Sequence, residues 1–189
     1  MSNYMNYDRY GQPTKLEQNA STNLDQDVNN SRIVKYHERQ NEIKKYLDDI
    51  LTPHYTTLLI NKFGKDWQNY DLMDILKDGE VLCKLGLLLS SSVTPNPCSK
   101  FKNSKIAFIQ MENISFFLSL CQIIKLKHDE IFQTVDLYEN KDPYQIIITL
   151  MAFSRLVNDI DPTIFKYVVG PKPVKIKPQV PVKPFALRS

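Results

Sequence analysis

Residues 71–89 read DLMDILKDGEVLCKLGLLL, and this stretch decides the fold. An apolar pair, Ile75 and Leu76, predicts a short helical turn, which Lys77-Asp78-Gly79 then breaks. A second apolar set follows at Val81, Leu82, Leu85, Leu88 and Leu89. Intervals of three and four put those side chains on one face of a helix. Asp78 is placed to accept the free N–H groups of its first turn, and Gly79 lets the backbone turn without a Cβ clash. A helix with this much Leu and Val on one face is not stable alone, so other helices must cover it. The stretch reads as buried core and not as a reaction centre.

Helical periodicity extends to both sides. Upstream, Ser31 is a candidate N-cap for a helix over Ser31–Leu51, with Ile33, Ile43, Tyr46, Leu47, Ile50 and Leu51 on one face. Lys44, Lys45, Asp48 and Asp49 fall opposite, as a solvated charged face with pairs four apart. Thr52-Pro53 predicts a cap and first helical position, Tyr55, Leu59 and Phe63 a short helix, and Gly64 its stop. Trp67 and Tyr70 lead into the central stretch, and most of the aromatics of 53–70 are expected in the core.

Downstream, residues 90–105, SSSVTPNPCSKFKNSK, read as a solvated loop carrying a small basic cluster, Lys100, Lys102 and Lys105. A helix is expected over Ile106–Ile124, burying Met111, Ile114, Leu118 and Cys121 with Phe108 and Phe117 beside them. A helical turn over Asp129–Thr134 contributes Ile131 and Phe132. Asp142-Pro143 then opens a last long helix whose buried stripe is Ile146, Ile147, Leu150, Phe153 and Val157. No segment alternates with the period of two that strands need. The fold class is all-α: four main helices plus short ones over residues 32–168, flanked by two tails.

The tails differ in chemistry. Residues 1–31 are rich in Asn, Gln, Ser, Asp and Tyr and bury too little apolar surface to offset chain entropy, which predicts disorder. Residues 169–189 hold Lys172, Lys175, Lys177 and Lys183 among five prolines, with no acidic residue. That composition predicts an extended, polyproline-II-like arm. At ~3.1 Å per residue, residues 170–185 reach roughly 50 Å, well beyond a domain whose radius of gyration is about 14 Å. The arm suits an acidic partner through its lysines. Pro178, Pro181 and Pro184 also repeat the PxxP spacing of SH3 ligands.

The 189 residues fit one domain with tails, and the net charge is only +3. No apolar run approaches the length of a membrane span, and the N-terminal residues lack a secretory pattern. Three cysteines, Cys83, Cys98 and Cys121, stand at unrelated spacings. They predict a reducing intracellular compartment with neither disulfides nor a metal site. His37, His54 and His128 lack metal-ligand spacing, and five glycines form no phosphate loop. No cofactor and no catalytic residue is expected, and the chain reads as a non-enzyme. Its few basic residues are not interleaved with stacking aromatics, which argues against nucleic acid.

DLMDILKDGEVLCKL resembles the signature of the calponin-homology (CH) domain, in which an apolar pair precedes Lys-Asp-Gly and then Leu-Cys-Lys-Leu. FIQMEN at 108–113 and IFQTVDLYENKDPYQIIITLMAFSR at 131–155 are similar to the calponin and transgelin branch. The resemblance covers about residues 32–160, and fungal transgelins, with one such domain and a short basic Pro-rich tail, look similar. Tyr46 stands where the family usually has tryptophan, and Leu87 replaces a common asparagine. No calponin-type repeat is read between the domain and Ser189. The resemblance implies a protein of the cytoplasmic, cortical actin cytoskeleton, and the sequence leaves its oligomeric state open, with a monomer expected. It would bind and bundle filamentous actin, an acidic partner, through Lys172, Lys175, Lys177 and Lys183. The competing expectation is a signalling adaptor. In that case the single CH domain binds another protein, and the tail recruits SH3 domains through Pro178, Pro181 and Pro184.

Overall fold

The computed structural model describes residues 21–170, with side chains from Asp25 onward. Seven α-helices appear among them: α1 Ser21–Leu51, α2 Leu58–Phe63, α3 Leu72–Leu76, α4 Glu80–Leu87, α5 Ala107–Ile123, α6 Thr134–Tyr138 and α7 Pro143–Ile160. Short 3-10 turns at Trp67–Asn69, Pro97–Lys100 and His128–Glu130 link them. No strand occurs among the described residues, so the all-helical expectation holds. The main packing pairs are α1 on α7 and α4 on α5.

The central stretch folds as two helices with a sharp joint. Asp71 caps α3, its carboxylate accepting the Met73 N–H at 2.9 Å. Gly79 then adopts φ 73°, the left-handed region, and precedes α4. Asp78 accepts the Glu80 N–H at 3.1 Å, as expected, from one residue outside the N-cap. Gly79 also lies hard against α5: a Cβ there would stand 2.7 Å from both Asn113 Cβ and Ile114 N. Gly86, two turns on, would place a Cβ 2.6 Å from Cys98 Sγ. The two glycines thus let α4 approach its neighbours at backbone distance.

Asn113 locks this contact. It is 2% exposed, yet its polar atoms are matched. Nδ2 donates to Asp78 O at 3.1 Å and to Lys102 O at 2.9 Å, while Oδ1 accepts the Lys102 N–H at 3.1 Å. One side chain ties the α3–α4 joint, the loop before α5 and α5 itself together. A buried amide so matched avoids the desolvation penalty that an unpaired one would carry.

Several expectations need correction. The first helix begins at Ser21 and not near Ser31, so 21–31 belongs to it. Extending a helix already nucleated by packing costs little per residue, and residues 25–31 remain exposed. Ile33 is 43% exposed and lies off the buried face. Lys44 is buried: its Nζ donates to Gln68 O at 3.0 Å, because the 65–70 segment folds over this part of α1. Thr52-Pro53 opens no helix; the chain turns until α2 starts at Leu58, with Thr57 before it. Trp67 is core, as expected. On α5 the buried set is Asn113, Ile114, Phe117, Leu120 and Cys121, while Phe108 points away from the core. Phe132 is buried in extended chain between the 128–130 turn and α6, not in a helix. The α7 stripe is buried as expected, and Asp142 accepts the Gln145 N–H at 3.2 Å.

Gly79→Ala tests the joint. Forcing a Cβ into a left-handed position and against α5 should cost about 2–4 kcal/mol, read as a fall in the urea midpoint. A change below about 1 kcal/mol would mean that the close approach is not needed.

Candidate interaction surfaces

The segment after α7, residues 161–170, packs back onto the domain. It turns at Asp161 and returns as a strap. Phe165 is buried, its carbonyl accepting from Asn158 Nδ2 at 2.6 Å. The Tyr167 ring meets Tyr46 edge-on, with centroids 5.6 Å apart, and its hydroxyl donates to the Asp49 carboxylate. Val169 is buried, its N–H donating to Ser154 Oγ at 3.0 Å. Gly170 N–H donates to Glu42 Oε1 at 3.1 Å, and its Cα side faces Met151.

Along the strap, contacts descend in number on both helices: Asn158 to Met151 on α7, Asp49 to Glu42 on α1. The strap therefore runs antiparallel to both, in the groove between two helices that share a direction. Arg32 confirms the shared direction, pairing with Asp142 at the start of α7 at 2.6 Å and lying over the Tyr144 ring. The expected arm boundary at 168/169 falls inside this packed strap.

Lys172, Lys175, Lys177, Lys183, Pro178, Pro181 and Pro184 lie outside the described residues. What the structure adds is the position of the residue that precedes them: Gly170, the last described residue, lies between α1 and α7. The Tyr46 hydroxyl, under the strap, is buried without a hydrogen-bond partner.

A second surface lies on the other helix pair. Lys100, Lys102 and Lys105 are exposed, as expected. Beside them Ile106 and Phe108 are 61% and 70% exposed, the highest values among the large apolar side chains described. Lys84 sits over the Phe101 and Tyr55 rings at 5.6 and 5.1 Å, extending the positive surface onto α4. By contrast Lys62 is spent internally, pairing with Asp78 and, at 2.8 Å, with Glu80.

A cleft of about 350 Å³ lies between α1 and the start of α7, beside Arg32, Tyr36, His37 and Asp142. Two of its polar groups are already engaged: Arg32 is paired with Asp142, and the Tyr36 hydroxyl donates to Asp71.

The three cysteines, unrelated in sequence, meet where α4 and α5 pack. All are free and buried. Hydrogen bonding to Cys98, then burial, holds the Cys83 thiol far above the ordinary thiol range, and burial does the same for Cys121. Thiols held protonated this way are poor nucleophiles. Among the described residues no cluster of His, Cys, Asp or Glu could hold a metal. No described helix is long and apolar enough to cross a membrane.

Residues 37–159 match the calponin homology (CH) domain family. The chain is 44% identical to transgelin of Saccharomyces cerevisiae over 115 residues, 60% of this chain and 56% of that protein. It is 32% identical to transgelin of Schizosaccharomyces pombe over 111 residues, 58% of this chain and 60% of that protein. With myophilin of Echinococcus granulosus the identity is 42% over 100 residues, 52% of this chain and 50% of that protein. The matches thus span 50–60% of these relatives' lengths.

The strap has a pH signature. Burial, then the bond to Asp49, lifts the pKa of Tyr167 above the usual tyrosine range; Tyr36 and Tyr46 shift the same way. A raised tyrosine pKa means that the folded state holds the proton more tightly. Its stabilisation is complete below the unfolded value of ~10 and is lost as pH rises past it. The melting temperature should fall above about pH 10, with a shallower fall in Tyr167→Phe. An identical slope in that variant would contradict the contact between Tyr167 and Asp49.

Proposed function

Because the chain belongs to the calponin homology domain family, we propose that it binds actin filaments and cross-links them within the cytoplasmic actin cytoskeleton, at cortical structures. The chain acts as a binding protein and catalyses no reaction. Cross-linking needs two contacts per molecule: the helical domain supplies one and the basic arm the other. The observation that carries this is the strap. It fixes the chain at Gly170 on the surface of the folded domain, and Lys172, Lys175, Lys177 and Lys183 follow that point in sequence.

An arm of lysines binds an acidic filament through exposed charge, and such attraction is screened beyond ~10 Å at 0.1 M salt. The strap also sets where a truncation can be made. Cutting at residue 168 would remove Val169, which is buried, and would confound loss of the arm with loss of packing.

The test is co-sedimentation with actin filaments at low and moderate salt, comparing the whole chain with a chain ending at Gly170. The whole chain should pellet with filaments and bundle them, less so as salt rises, and the shortened chain should lose bundling. Equal bundling by both would remove the arm from the mechanism. No binding by the whole chain would sink the filament assignment and favour an adaptor whose prolines engage SH3 domains.

A further inference from the structure

We infer that the knuckle formed by Ile106 and Phe108, with Lys100, Lys102 and Lys105, is the domain's own docking surface, and that its partner is an anionic protein surface with an apolar recess. On the function proposed above, that surface belongs to the filament, and the inference rests on that reading.

Folding explains neither apolar side chain. Ile106 stands immediately before α5 and Phe108 in its first turn, and both are left largely in water. An exposed phenyl ring two residues along from an exposed isoleucine is the kind of anchor that interfaces bury. The cations around them are also uncommitted: among the described residues none of Lys100, Lys102 or Lys105 forms an ion pair. From 97 to 111 there are three cations and no acid, and Glu112, one turn on from Phe108, is the nearest acid in sequence. Apolar anchors in a cationic rim select a partner of opposite charge and steer its approach.

The knuckle is also held in shape before binding. Asn113 grips both the N–H and the carbonyl of Lys102. Ser104 Oγ accepts the Ile106 N–H at 3.1 Å, and Gln110 Nε2 donates to Ser104 O at 3.2 Å. A loop fixed this way loses little freedom on binding.

Its position suits cross-linking. The 97–100 turn packs on α5 and α4, whereas the strap lies between α1 and α7. Knuckle and arm therefore start from different helix pairs, and one molecule can present each to a different filament.

The experiment uses the whole chain, wild type and two variants, Phe108→Asp and the triple Lys100→Gln/Lys102→Gln/Lys105→Gln. High-speed sedimentation with actin filaments reads binding, and low-speed sedimentation reads bundling. Both variants alter exposed side chains, and an unchanged melting temperature checks that they fold. Phe108→Asp should cut low-speed bundling about five- to tenfold and reduce high-speed binding far less, since the arm remains. The triple variant should lose bundling and flatten its salt dependence. A wild type that bundles, with both variants equal to it, would overturn the knuckle alone. A wild type left in the supernatant would overturn the filament assignment and this inference with it. Self-association of the wild type lost in Phe108→Asp, with bundling unchanged, would assign the knuckle to a second copy of the chain and overturn the partner named here.

Discussion

The fold depends on how closely α4 can approach α5. Helices usually sit 8–10 Å apart, separated by the side chains at their contact. Here Gly79 and Gly86 remove two of those side chains. Asn113 then turns a contact that would strand polar groups into one that satisfies them. The Lys-Asp-Gly run is thereby explained residue by residue. Asp78 caps and pairs with Lys62, Gly79 gives the left-handed joint and the space, and Lys77 stays in water, over the Tyr138 ring. The thiols fill what remains: Cys83 donates to Asn113 O at 3.2 Å, and Cys98 lies against Gly86.

Two consequences spread from that contact. On one side, Asn113 fixes the loop before α5 and so sets the attitude of Ile106 and Phe108. On the other, α1 and α7 close over the remaining face and leave a groove, which the 161–170 strap fills. The strap's own bonds are few: Tyr167 to Asp49, Val169 to Ser154, Gly170 to Glu42. They bury one phenyl ring and one valine and leave the next residue at the rim.

Much of the core was legible from periodicity. Ile146, Ile147, Leu150, Phe153 and Val157 recur at helical intervals and are all buried, and Asp142-Pro143 marks the start of α7 as caps do. Periodicity failed where a neighbouring segment decides the outcome. Lys44 lies on a polar face of α1, but the 65–70 segment folds over it. Phe108 fits the apolar pattern of α5, yet its turn extends past the helices that would cover it. The meeting of three cysteines is a tertiary fact, invisible to spacing. Asn113 was missed because it stands among other polar residues of α5, Gln110 and Glu112, and only the packing of α4 and the 102 loop against it makes it a hydrogen-bonding hub. The polar stretch 21–31 was read from composition alone, which cannot register helix propagated from a packed neighbour. The arm's lysines and prolines were legible as chemistry but not as position.

Hydrogen exchange at the Lys102 amide tests the Asn113 lock most directly. That N–H belongs to a loop residue with an exposed side chain, and its acceptor is the Asn113 side chain. If the lock organises the domain, this amide opens only with the core. It should then exchange as slowly as the interior amides of α4 and α5, and Asn113→Ala should bring it to the rate of free loop. Rapid exchange of the Lys102 amide in the native protein, while α4 and α5 stay protected, would show that the helices hold together without it.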